Sequence, residues 1–337
     1  MAVAERTVAI ACQGGGSHTA FTAGVLKRFL QERATLDAHH YRIGALSGTS
    51  GGAICALLAW YGVVQDDWPA GVQGLEAFWA DNAARHPWDA ALNQWLMAMA
   101  WWRDFVAFPD VSPYAYPPWG ESHLRAMLEA HVDFGKIPTL VRPEGPALLV
   151  GAVSVLSGKF KVFRNERVTA DAVMASAAIP TIFRATCIRN LPYWDGLFSQ
   201  NPPVRDLIDD VEPPSAKPDE IWVIQINPLK RRTEPRRIGE IQDRRNEMAG
   251  NLSLQQELYH IRKINQMIRN GVIKHPKYKL VKVRVVALHE DLPLASKLDR
   301  RPAFIERMMR CGDEAAGAFL RTVTRPAAAP ACTSRLH

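Results

Sequence analysis

Ser50 stands between Gly48 and Gly52 in the stretch YRIGALSGTSGGAICALLAWYG (Tyr41 to Gly62), where an apolar run gives way to a helix-forming run. A serine hydroxyl becomes a nucleophile when a base takes its proton and donors hold the oxyanion that forms. On a sharp strand-to-helix turn its backbone is strained, and the residues two positions away approach so closely that glycine is needed on both flanks. The helix that follows turns its positive end toward the developing charge. The competing reading is a glycine-rich turn with no chemistry. Gly14, Gly15 and Gly16 form a second cluster at an earlier strand-to-helix turn, where unencumbered N–H groups can face an anion. QGGGSHT is neither G-x-G-x-x-G nor a loop ending in G-K-[ST], so dinucleotide and nucleoside-triphosphate readings have little support.

A base is needed as well. The usual α/β-hydrolase order is serine, acid, histidine, but a serine at position 50 comes after only one β-α unit, too early for that fold. His260, His275 and His289 lie downstream, and none stands in a turn that marks such a role. The better candidate is Asp195 in YWDGLFSQNPPV, after a short apolar-aromatic segment. An isolated Asp-Gly is an ordinary turn signal, so this assignment needs its neighbours.

The elements that must carry these residues read as an α/β chain. TVAIAC (Thr7 to Cys12) is a short buried strand, and the run from Ser17 to Leu30 places Phe21, Val25, Leu26 and Phe29 at helical spacing. Ile43 to Leu46 is the next strand, followed by a largely buried helix that ends near Gly62. This β-loop-α-β-turn-α opening predicts a mainly parallel sheet covered by helices. Ala147 to Phe163 reads as a hairpin with a Ser-Gly turn, VTADAVMASAAIP as a small-residue helix stopped by Pro180, and Glu220 to Pro228 as a buried strand. A strand is expected over Lys279 to His289 and a final helix over Pro302 to Leu320. Residues 66–120 read as a helical cap or lid inserted in one hydrolase domain of residues 1–325, and the stretch 86–120 within them holds Trp88, Trp95, Trp101, Trp102 and Trp119, half of the ten tryptophans. Residues 238–270 form a long amphipathic helix, with Met248, Leu252, Leu258, Ile261, Ile264 and Ile268 on its apolar stripe. Residues 326–337 read as a disordered tail.

Composition narrows the function classes. The chain has 337 residues, 47% of them hydrophobic, enough for a sizeable core and too apolar for a disordered chain. Five widely spaced cysteines without a C-x-x-C pair argue against a disulfide framework or a zinc site and suit a reducing compartment. No stretch approaches eighteen uninterrupted apolar residues and the N-terminal run is short for a signal peptide, so the expected location is the cytoplasm. The formal charge of +7 permits attraction to anionic surfaces without requiring it.

Read together, QGGGSHTAFTAGVL, LSGTSGGAICALLA and ASAAIPTIFRATCIRNLPYWDGLFSQNPPV resemble the patatin-like phospholipase family, in the family's order and over residues 7–62 and 172–227. The resemblance implies a three-layer α/β/α core and a Ser-Asp dyad without histidine. Ser50 is the implied nucleophile, Asp195 the general base and the Gly14, Gly15 and Gly16 backbone the oxyanion hole, with no metal or cofactor. The implied reaction is hydrolysis of a lipid acyl ester through an acyl-enzyme. An aspartate at its ordinary pKa near ~3.9 is a poor base at neutral pH; partial burial beside Tyr193 and Trp194 is expected to raise it. The chain departs from the family pattern at His18, where Arg or Lys is common, at Thr19, where a fourth glycine is common, and at Leu197 after Asp195-Gly196.

The expected function is therefore a serine acyl-ester hydrolase acting on lipids, with an acyltransferase using the same dyad and a catalytically weak lipid-binding or scaffold protein as the alternatives. The Trp-rich segment could dock on a lipid surface or form the buried core of a cap, and the run Lys230 to Arg237 could meet anionic lipid or simply be solvated. No recognised nucleic-acid module accompanies them, so no nucleic-acid partner is expected.

Overall fold

The computed structural model describes residues 5–102, 111–180, 182–209, 211, 213–231 and 233–324. The chain opens with β1 (Arg6–Cys12), α1 (Ala20–Gln31), α2 (Arg33–Ala38), β2 (Tyr41–Thr49) and α3 (Gly51–Val64). Four helices follow: α4 (Trp68–Asn82), α5 (Pro87–Trp102), α6 (Trp119–His131) and α7 (Ile137–Leu140). Next come β3 (Ala147–Ser154), β4 (Phe160–Arg164), α8 (Ala170–Ser176), β5 (Thr186–Ile188) and β6 (Leu191–Asp195). The chain closes with β7 (Glu220–Gln225), α9 (Ile238–Arg269), β8 (Lys282–Ala287) and α10 (Pro302–Val323).

The eight strands form one sheet in the order β5-β6-β3-β2-β1-β7-β8, with β4 also paired to β3. β3, β2, β1, β7 and β8 run parallel, and β4, β5 and β6 add antiparallel pairings. Alternation along the central strands sorts side chains to the two faces. Val8, Ile10 and Cys12 of β1 join a large core with α1, α3, α4, α8 and α10, while Ala9 and Ala11 face Leu254, Leu258 and Ile261 of α9. The result is a three-layer α/β/α core. Helix α3 is buried on nearly all sides, as its composition GAICALLAWYG requires.

The hairpin expected over 147–163 is β3–β4, turning through Gly158 at φ 66°. The short hairpin β5–β6 that leads into Asp195 is not visible in the sequence, because TCI and LPYWD carry a Pro and two or three apolar residues each.

Three expectations need correction. A buried cap core does not hold for Trp88, Trp95 and Trp119, which are 81%, 57% and 75% exposed. Within the expected insertion, α4 does bury Leu75, Phe78 and Trp79 in the main core, whereas α5 presents Trp88, Leu92 and Trp95 to solvent from one face. Residues 103–110 of this segment, and the expected tail 326–337, lie outside the described residues. The apolar stripe of α9 is also different: Met248 and Leu252 are exposed, and the buried face runs through Glu247, Gly250, Asn251, Leu254, Leu258, Ile261 and Asn265. Its first half is polar because it packs on Gln13, Asn201 and Asn227 and pairs Glu247 with Arg231, not on an apolar sheet face. Finally, the basic run is not uniformly solvated. Arg231 makes a two-pronged ion pair with the buried Glu247 (2.7 and 3.0 Å), to which Arg244 also donates at 3.1 Å.

Candidate active site

Ser50 is the single residue between β2 and α3, at φ 57° and ψ −134°. Side-chain-bearing residues rarely adopt a positive φ, and holding one there costs on the order of 1–3 kcal/mol. The surroundings impose it. A Cβ on Gly48 would lie 2.4 Å from the Gly52 carbonyl oxygen, and one on Gly52 would lie 2.3 Å from that of Cys12. The Ser50 carbonyl accepts the N–H groups of Ala53 and Ile54 and so starts α3, while its own N–H is donated to Ser176 Oγ at 2.9 Å. Ser176, the last residue of α8, in turn donates to the Gly151 carbonyl at 2.6 Å.

Sheet register brings Asp195 to this turn. β2 pairs with β3 as far as Thr49 opposite Gly151, and β6 pairs with β3 from Ala152 opposite Asp195. β4 occupies the other edge of β3 over the same residues, so β6 continues the row where β2 stops. Asp195 therefore stands beside the end of β2, where its carboxylate interacts with the Ser50 side chain. Its Oδ1 also accepts the Leu197 N–H at 2.8 Å. Burial pushes the carboxyl pKa up to about 7, against the lowering effects of the Leu197 N–H, the Ser50 hydroxyl and the charge of Lys297. The enclosure involves Leu197 packed on Gly250 of α9 and Gly196 wedged between Gly151 and Thr49; Tyr193 packs instead on Phe163.

The glycine loop lies directly over Ser50. A Cβ on Gly14 would meet the Thr49 carbonyl oxygen at 2.4 Å and Ser50 Cβ at 2.8 Å. The Gly14 N–H is donated to Asn201 Oδ1 at 2.7 Å, so this member of the expected oxyanion hole already has an internal partner. Gly15 precedes a short 3-10 turn, Gly16–Thr19, and Gly16 adopts φ 60° against the carbonyl of Lys297. The loop is braced by residues that carry no sequence motif. Gln13 accepts the N–H groups of Ile226 and Asn227, each at 2.9 Å, and donates to Asn251 Oδ1 at 2.8 Å. Asn227 Oδ1 accepts from Lys297 Nζ at 2.9 Å. Asn201 is the one brace with a sequence signal, since it lies in the block that contains Asp195.

His18 is a buried structural residue. Its Nε2–H donates to Ser296 Oγ (2.7 Å), which itself donates to the Pro293 carbonyl, and burial followed by the charge of Lys297 lowers its pKa to about 3. The ring is therefore neutral at physiological pH. Thr19 donates its hydroxyl to the Gly16 carbonyl and sits against Gly51, closing the loop from the side where a fourth glycine was expected. Ser50 and Asp195 are both buried, at 6% and 1% exposure. A surface cleft of about 390 Å³ between α6, α8 and β5 includes neither of them. Among the described residues, no cluster of three His, Cys, Asp or Glu side chains is placed to hold a metal ion.

Fold and site together define a class: an α/β protein whose mainly parallel sheet presents a serine on a strained strand-to-helix turn, facing a buried aspartate. A family model described as patatin-like phospholipase matches residues 10–208, more than half of the chain. The chain belongs to the patatin-like phospholipase family, which places it, at the family level, among lipid acyl hydrolases. Among curated proteins no match was found. Similar solved structures include VipD from Legionella pneumophila, at 13% identity and a TM-score of 0.45 over 94% of this chain and 67% of that one. The type III effector ExoU is similar at 14% identity and a TM-score of 0.37, over 94% of this chain and 53% of that one. The chain thus spans about half the length of ExoU.

Proposed function

We propose that the protein is a serine hydrolase of lipid acyl esters that works through Ser50 and Asp195. Asp195 takes the Ser50 proton as Oγ attacks the ester carbonyl carbon, and the carbonyl π-electron pair moves onto oxygen. The Gly14–Gly16 loop supplies the oxyanion hole. Its donors are the N–H groups of Gly15 and Gly16, since that of Gly14 is given to Asn201. Collapse of the tetrahedral intermediate expels the alcohol, which leaves with the proton from Asp195, and the acyl group remains on Ser50. Asp195 then deprotonates a water that attacks the acyl carbon, and the Oγ–acyl bond breaks as Oγ takes that proton back from Asp195 and the fatty acid leaves.

One observation carries this reading: a serine at φ 57° faces a buried aspartate whose pKa is raised to about 7. A carboxylate of that basicity is matched to neutral pH, whereas an ordinary aspartate is not. Because both groups are buried, an ester reaches them only when the cover over the site opens. The exposed Trp88, Leu92 and Trp95 on α5 support docking at a lipid surface, where tryptophan rests at the headgroup boundary. Among the described residues no helix is long and apolar enough to cross a membrane, so the proposed contact is peripheral.

The test is covalent labelling with a fluorophosphonate, with and without detergent or vesicles. The wild type should label, Ser50→Ala should not, and Asp195→Asn should label at least about a hundredfold more slowly. A folded wild type that stays unlabelled with vesicles and detergent present removes the reading.

A further inference from the structure

We infer that Lys297 is the positioning cation of this site, holding the glycine loop in place and keeping a positive charge within electrostatic reach of Asp195. The inference rests on the proposed dyad and extends it to a residue far outside the 10–208 family match. Lys297 lies in a 3-10 turn, Leu294–Leu298, that crosses the first residues after the glycine loop. It is tied there at two points. Its carbonyl oxygen covers Gly16, where a Cβ would lie only 2.3 Å away, and its Nζ donates to Asn227 Oδ1 at 2.9 Å. Asn227 reaches back to Gly14: its Nδ2 is 3.5 Å from the Gly14 carbonyl. The neighbouring Ser296 fixes His18. One short turn thus meets both ends of the loop that covers Ser50.

The charge has a use that the loop residues cannot supply. The His18 ring is neutral because burial and Lys297 both disfavour the imidazolium. Lys297 is the cation at electrostatic reach of Asp195. Burial lowers the Lys297 pKa from its usual value, and Glu247 and Asp243 of α9, together with Asp195 of β6, oppose that lowering, while Arg231 adds to it. Asp195 is faced by the Ser50 hydroxyl, the Leu197 N–H and Lys297. His18 is faced by Lys297, Asp299 and Arg307. Below neutral pH the proton returns to Asp195 and the base is lost, so a nearby cation extends the active range downward.

The decisive measurement is the fluorophosphonate labelling rate from pH 5 to 10 for the wild type, Lys297→Met and Lys297→Arg, each checked for a cooperative thermal melt. Lys297→Met should move the acidic limb to higher pH. Its loss relative to wild type should be about tenfold larger at pH 6 than at pH 8.5, as a rise of about one pKa unit in the base requires. Lys297→Arg should keep the wild-type acidic limb, because the guanidinium carries the same charge. An acidic limb of Lys297→Met that coincides with wild type overturns the inference, even if the overall rate falls. Should Lys297→Met fail to fold, Lys297→Gln takes its place, and an acidic limb of that variant that coincides with wild type overturns the inference. A wild type without label removes the dyad reading and this inference with it. A labelled wild type with unmoved limbs removes the inference alone.

Discussion

The two glycine turns sit side by side at the ends of the paired strands β1 and β2, yet they are held in different ways. The Ser50 turn is largely self-contained. Its strain is set by Gly48 and Gly52 within five residues, and its carbonyl starts the helix that follows. The Gly14–Gly16 loop is held from a distance, by Asn201, Asn227 and Lys297. The two interlock: Gly14 lies on Thr49 and Ser50, and Gly52 lies under the carbonyls of Cys12 and Gln13. A nucleophile turn can thus be specified locally, while the surface that would receive the oxyanion depends on contacts assembled by the rest of the fold.

Substitution within the loop is the strongest way to break this contrast. Gly14→Ala drives a methyl into backbone and into Ser50 Cβ, neither of which can yield. It should destabilise by about 3 kcal/mol and slow labelling about a hundredfold. Gly15→Ala meets only the Cδ1 tip of Ile226, at 2.6 Å, and should cost about 1 kcal/mol or less. Equal losses in melting temperature and labelling rate for the two variants would show that the loop is not seated on Ser50.

A second prediction concerns stability and pH. The Asp195 pKa is about 7 in the fold against 3.8 for the unperturbed group. The folded state therefore binds the proton more tightly, and stability falls as pH climbs from near 4 through about 7. Asp195→Asn removes that slope. It should gain up to about 4 kcal/mol over wild type at pH 8 and almost nothing at pH 3, measured by denaturant unfolding at both pH values. A variant less stable than wild type at pH 8 would mean that the Ser50 and Leu197 bonds outweigh the burial of charge.

The smallest effect on stability belongs to the insertion. Trp88→Ala with Trp95→Ala should change stability by less than about 0.5 kcal/mol each, since both rings face solvent. The pair should still lower the fraction of protein that floats with phospholipid vesicles. Unchanged flotation would leave α5 without a role at the interface and make the two glycine turns the whole of the functional story.

Much of this was readable in the residue order because local signals are local physics. Gly48-Thr49-Ser50-Gly51-Gly52 predicts its turn from sterics alone, and the apolar run Ala53 to Trp60 predicts a buried helix. The aspartate was readable only in the company of neighbouring blocks, because Asp-Gly commonly means nothing more than a turn. Gln13, Asn227, Asn251 and Lys297 were not readable as site residues. Each is an ordinary polar side chain whose partners stand between 23 and more than 200 positions away or on a different element. The sequence leaves the tryptophans open between a docking surface and a cap core for a related reason: tryptophan content does not say which face of α5 has a neighbour.

By itself, then, the sequence determined the strand-turn-helix that strains Ser50, the glycines that make room for it, and the alternation that buries the sheet between two helical layers. The tertiary structure decided which carboxylate meets that serine, by ending β2 where β6 takes over beside β3. It also decided how basic that carboxylate is, since desolvation depends on everything packed around a group and no local pattern encodes it.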